Sequence, residues 1–208
     1  VTMFVVRWIH SGDAQRNPEQ HNPIELTAPP VPDPETGGFR AGVAEDFPNG
    51  GGSRAYLFRV DDSESHFSWF YHGSASPVDF HLPIVVNEVD YGSPLDNLII
   101  AMDEAGLESV DLWIGGSDAR VAELVLPILA PKAFLPIHWD GLDTPFESGM
   151  PDRFSNPPLE QLLSGAGVEL IRQQQYMDKW RLDREGVRPM DNHAAKQALG
   201  FAEIQNLP

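Results

Sequence analysis

The chain is predicted to be α/β, with a mixed sheet flanked by helices. Three observations carry that prediction. Short apolar runs rich in β-branched and aromatic residues alternate with two segments of helical period after residue 94. An aromatic hairpin pattern precedes them, so the order reads β, hairpin, then α-β-α-β-α-β, which suits a layered architecture. The 208 residues fit one domain of ordinary size, and 41% apolar residues suffice for a real core.

Each element has its own signal. Val1 to Ile9 is β-branched and aromatic and reads as a strand that stops at His10-Ser11-Gly12-Asp13. Residues 14 to 52 form a long polar stretch with Pro29, Pro30, Pro32, Pro34 and three consecutive glycines from Gly50, a functional or irregular loop. Ala55 to Val60 and Phe67 to Tyr71 are strands joined by a turn at Asp61 to Ser65. Residues 73 to 94 read as loop. Pro94 to Ala105 repeats apolar residues with helical period (Leu95, Leu98, Ile99, Met102), and Gly106 stands where a C-cap glycine would. Val110 to Ile114 is a strand ending in Gly115-Gly116. Ser117 or Asp118 can cap a helix over Ala119 to Leu129. Ala133 to Ile137 is a buried-type strand, Leu159 to Ser164 a short helix, and Val168 to Ile171 a last strand. Two parts follow: residues 1–171 as one domain with the 14–52 loop, and 172–208 as a helical or extended tail.

Composition excludes several function classes. Thirty-one acidic residues against fourteen Lys and Arg leave a formal charge of −17. Binding to nucleic acid or an anionic membrane surface needs clustered cations, so neither is expected. No run of about 18 apolar residues exists to form a spanning helix. The absence of cysteine removes disulfides, thiolate chemistry and Cys metal ligands, and leaves the compartment open.

Three histidines sit at the ends of apolar runs: His10, His72 and His138. An imidazole at a strand terminus is held rigidly and can face the crevice where open α/β sheets keep their chemistry. Zn²⁺ takes such neutral nitrogens, with carboxylates completing the sphere. A single strand-end histidine is more often only a hydrogen-bonded, half-buried residue; three at matching positions point to function. Asp13 and Asp140 stand two or three positions from a strand-end histidine and can orient it. Ser74, within His72-Gly73-Ser74-Ala75-Ser76, is a second candidate. With Asp111 or Asp118 and then His138 it follows the Ser…Asp…His order of an α/β-hydrolase. The Gly-x-Ser-x-Gly elbow is incomplete, however, because the second glycine is missing. Gly115-Gly116-Ser117-Asp118 reads as a strand-to-helix turn near the cleft and lacks the phosphate-loop lysine.

The succession of these pieces resembles the metallo-β-lactamase superfamily, of the lactonase-like or general hydrolase branch, over residues 1 to about 171. The resemblance is carried by Ile9-His10-Ser11, by Gly51-Gly52-Ser53 entering the hairpin, and by His72-Gly73-Ser74-Ala75 after it. Asp111 to Gly116 and Pro131-Lys132-Ala133-Phe134-Leu135-Pro136-Ile137-His138-Trp139-Asp140 complete it. It implies the C-terminal half of an αββα sandwich and a hydrolase of ester, lactone or amide bonds that uses metal-activated water. It implies His10 and His138 as ligands to one or two Zn²⁺ ions or another divalent metal. It implies roles for Ser74 and Asp140 beside the bound water. Ser74 stands where many members carry a metal-bridging Asp, so a mononuclear or rearranged site is open. The His-x-His-x-Asp-His signature is not in residues 1–208. The expectation is therefore a fragment that binds a small-molecule substrate, with one sheet face covered by an N-terminal half, a second chain or a second copy. The alternative is a binding or assembly module of the same fold without metal.

Overall fold

The computed structural model describes residues 1–9, 35, 37, 53–63, 65–73, 75, 80–86, 88–138, 154–173, 177–183 and 186–200. Its strands are β1 (Thr2–Arg7), β2 (Arg54–Asp61), β3 (His66–Tyr71), β4 (Val85–Val86), β5 (Val89–Asp90), β6 (Leu112–Gly116), β7 (Ala133–Ile137), β8 (Glu169–Leu170), β9 (Lys179–Asp183) and β10 (Gly186–Met190). Its helices are α1 (Pro94–Ala105), α2 (Ala119–Leu129), α3 (Pro157–Gly165) and α4 (His193–Ala198). A six-stranded mixed sheet has the order β1-β2-β3-β6-β7-β8. Pairing is antiparallel from β1 to β3 and parallel from β3 to β8.

The helices form where local chemistry starts and stops them. The Ser93 hydroxyl accepts the Asp96 N–H at 3.1 Å, Pro94 opens α1, and Gly106 closes it in the left-handed region at φ 62°. Asp118 caps α2 by accepting the Arg120 N–H at 2.9 Å. Asn156 caps α3, accepting the Leu159 N–H at 3.3 Å. Leu95, Leu98 and Met102 of α1, Val121, Val125 and Leu129 of α2, and Leu159 and Leu163 of α3 are buried on one core with the sheet. The three helices follow β5, β6 and β7 in sequence and share that core, so one face of the sheet is covered.

Strand alternation decides what that face carries. Val6 and Trp8, Leu57, Phe70 and His72, Trp113, and Phe134 are buried on the helix side. The other face carries Tyr56, Phe58, Trp69, Leu112, Ile114, Leu135 and Ile137, all half-buried, with Tyr71 and Val5 exposed. Phe58 and Trp69 are direct cross-strand partners whose rings stack at 4.6 Å. The amino end of β6 is tied down by Asp111. Its carboxylate accepts the Ser68 N–H at 2.8 Å and the Lys132 ammonium at 2.6 Å.

Two local features differ from the sequence reading, while the tail is part extended and part helical, as read. Residues 73–94 contain a small hairpin, β4 with β5, rather than loop alone. Gly115 and Gly116 are strand residues of β6 and pair with Pro136 and Ile137 of β7, so they are not themselves the turn. The tail carries the β9–β10 hairpin, bridged by Arg188 to Asp183, and the short α4. The 14–52 loop, apart from residues 35 and 37, lies outside the described residues.

Candidate functional site

Two antiparallel steps, β1 to β2 to β3, bring β1 and β3 into the same direction, and the parallel pairs extend that direction through β6 and β7. The carboxyl ends of all four therefore lie along one sheet edge. Trp8 and Ile9 follow β1, His72 follows β3, Ser117 follows β6, and His138 follows β7. This edge is where an open sheet offers a crevice.

His72 is the centre of the described part. Its N–H donates to the Ile114 carbonyl at 3.1 Å, so it continues the β3–β6 ladder for one residue. That register turns the imidazole to the helix side, where it is 0% exposed. Its ring lies 5.5 Å from Trp8, 5.9 Å from Phe70 and 5.7 Å from Trp113, centroid to centroid. Neither ring nitrogen has a hydrogen-bond partner, nor do the indole N–H groups of Trp8 and Trp113, and all are buried. Four orphaned polar atoms in one cluster are exceptional, because native interiors satisfy nearly all such groups.

Gly115 makes the cluster possible. A Cβ at residue 115 would stand 2.4 Å from His72 Nε2 and 2.6 Å from Trp113 Nε1. Both nitrogens converge on the space that glycine leaves open. Burial lowers the His72 pKa from 6.5 to about 4, since an apolar surrounding disfavours the imidazolium. The adjacent Gly73 backbone offsets part of this without a hydrogen bond of normal geometry, and His138 adds a smaller push downward. His72 is thus uncharged at neutral pH and within electrostatic reach of His138.

His138 is exposed and sits at φ 57°. A non-glycine residue in the left-handed region costs of order 1 kcal/mol and turns the chain out of β7 at the edge. Of the four residues assigned from sequence, His138 is the one the described residues place; His10, Ser74 and Asp140 lie outside them, as does Asp13. Ile9, directly before His10, is buried at the same edge.

The acids of the serine-hydrolase reading serve other purposes. Asp111 precedes β6 and His138 follows the parallel β7, so they stand at opposite ends of the sheet. Asp118 caps α2 and pairs with Arg120 at 2.8 Å, which holds its carboxyl below the usual range. Neither is placed as the middle member of a triad. Trp8, Trp113 and Gly115 were not singled out from the sequence as site residues. The usable signal was the period of two, which puts Phe70 with His72 and Trp113 with Gly115 on one face.

Among the described residues, no three His, Asp or Glu side chains form a group that could hold a metal ion. None of the described helices is long and apolar enough to cross a membrane. No protein-family model, curated protein or solved structure matches this chain.

Proposed function

We propose that the chain is part of a metal-dependent hydrolase of the metallo-β-lactamase type, acting on an ester, lactone or amide bond at the carboxyl edge of its sheet. One observation carries the reading: β1, β3 and β7 run in the same direction, so the segment entering His10, together with His72 and His138, meets one edge. The donors there suit a divalent ion. His72 is kept neutral with orphaned ring nitrogens, and Gly115 contributes no Cβ to fill the space beside Nε2. When bound, such an ion supplies a water that ionises near neutral pH and polarises the scissile carbonyl. His10 and His138 would hold it through ring nitrogens. Ser74 would donate to the bound water, and Asp13 and Asp140 would orient the histidines. The aromatic wall of Trp8 and Trp113 excludes bulk water from the inner side.

Metal analysis tests this. Protein purified without chelator and equilibrated with Zn²⁺ is expected to retain about one ion per chain or more after desalting. His10→Ala and His138→Ala should each reduce that to trace, whereas His193→Ala on the tail should leave it unchanged. Trace metal in the unsubstituted protein would overturn the reading in favour of a metal-free binding module.

The aromatic sheet face bears on the partner. Tyr56, Phe58, Trp69, Tyr71 and Ile114 form an apolar surface opposite the helices. We infer that a second layer, from another polypeptide or a second copy, closes it, since extended apolar patches mark interaction surfaces. Light scattering of the isolated chain is expected to report a mass above that of the monomer. A monodisperse monomer that fails to bind a hydrophobic dye would count decisively against a second layer.

A further inference from the structure

Among the described residues, no strand pairs the outer edge of β1, and a cleft without histidines lies beside it. β1 is the terminal strand. The Trp8 N–H donates to the Ser53 carbonyl at 3.0 Å, toward β2. Antiparallel alternation then leaves the backbone groups of Val5 and Arg7 facing away from β2. Between this edge and α1 lies a cleft of about 280 Å³, lined by Val5 and Arg7 of β1, by Tyr91, and by Asn97, Ile100 and Glu104 of α1, among others.

The cleft holds two unused donors. Arg7 Nη1 and Asn97 Nδ2 are both buried without a hydrogen-bond partner. The Arg7 guanidinium is held over the Tyr91 ring, 3.8 Å from its centroid, so its position is set before any ligand arrives. Arg7 also stands directly opposite Arg54 in the β1–β2 register, a like-charge pair in a chain of net charge −17. Like charges facing each other across strands are destabilising. A buried cationic donor without an acceptor is costly as well, and a carboxylate, with two oxygens in a plane, matches the guanidinium fork.

The other end of the cleft is different. Glu104 lies seven residues after Asn97, about 10 Å further along α1, and repels a second anion. Phe4, Val6, Ile100 and Ala101 also line the cleft, so its walls are largely apolar. An exposed backbone edge, apolar walls, two donors at one end and an acid at the other are the features that an extended chain ending in a carboxylate would use.

We propose that the β1–α1 cleft binds the carboxyl terminus of an extended polypeptide, which adds to β1 as a further strand, parallel to it, and delivers its terminal carboxylate to Arg7 and Asn97. Charge complementarity selects this occupant. An internal segment or an amidated end leaves both donors unpaired. The proposal is independent of the metal reading, because no histidine lines the cleft and binding is read on Arg7 and Asn97 alone.

Fluorescence anisotropy tests it on the full chain with a fluorescein-labelled Gly-Val-Thr-Val-Thr-Val peptide, as the free acid and as the C-terminal amide. The free acid is expected to bind saturably, and the amide about tenfold or more weakly, as loss of a charge-assisted pair implies. Arg7→Gln and Asn97→Ala should each weaken the free acid about tenfold and leave the amide unchanged. Val5→Pro removes an N–H that faces away from β2, a change an edge strand tolerates; it should abolish binding with the circular dichroism spectrum retained. Equal binding of acid and amide, or no saturation by the acid up to about 1 mM, overturns the proposal. If Arg7→Gln does not fold, the amide comparison and Asn97→Ala decide.

Discussion

Gly115→Ala is expected to destabilise the fold by about 3 kcal/mol, the upper end of the usual cost of overpacking a core. The added methyl would lie 2.4 Å from His72 Nε2 and 2.6 Å from Trp113 Nε1, both closer than real carbon contacts permit. Neither ring can give way freely. His72 and Trp113 are 0% exposed, and Trp113 also packs edge-on against Phe134 at 4.6 Å. Denaturant unfolding would measure the loss as a lower midpoint at unchanged slope. His72→Ser in the Gly115→Ala background should recover part of the loss, because it removes one of the two clashing rings. A cost for Gly115→Ala under about 1 kcal/mol would mean that the rings do not converge there.

The second large effect is on pH. His72 has an ordinary pKa of 6.5 when unfolded and about 4 when folded, chiefly through burial. Between those values the unfolded chain binds a proton that the native state does not. Stability from this group is therefore fully present above pH 6.5 and falls as pH drops through the window to about 4. The loss is on the order of 3 kcal/mol. Carboxylates titrate in the lower part of the same range, so the readout is the difference between proteins. In the metal-free chain, His72→Phe and His72→Leu should each flatten the stability curve between pH 6.5 and 4 relative to the unsubstituted protein. Parallel curves for all three would show that His72 is not buried as an uncharged ring.

Much of the fold was legible because its signals are local. The bounds of the helix at 94–105 and of the helix at 119–129 agree with the residues at which Ser93, Gly106 and Asp118 act as caps. The strand 133–137 was equally clear from its apolar run and the change of character at His138. The β4–β5 hairpin was not, since two-residue strands carry no periodicity. The glycines after Trp113 read as a turn from composition; the sheet places them in a strand, where the neighbouring ring needs the missing Cβ. For the candidate site, strand-end position drew attention to His72 and His138. It could not distinguish them, yet one is sealed among aromatic rings and the other is exposed. Arg7 carried no signal at all, because an arginine near the end of a strand is ordinary until its burial and lack of partner are known.

The sequence by itself determined the α/β class, the order of the elements, and the presence of histidines at the ends of three apolar runs. Those follow from periodicity and capping, which act within a few residues. Only the tertiary structure decided that β1, β3, β6 and β7 share a direction, and hence that those ends share one edge. It also decided that Trp8, His72, Trp113 and Gly115 meet, and that Arg7 and Asn97 line one cleft. The physical reason is that strand direction is set by pairing between distant segments. Desolvation, likewise, depends on every side chain that closes around an atom, whatever its distance along the chain.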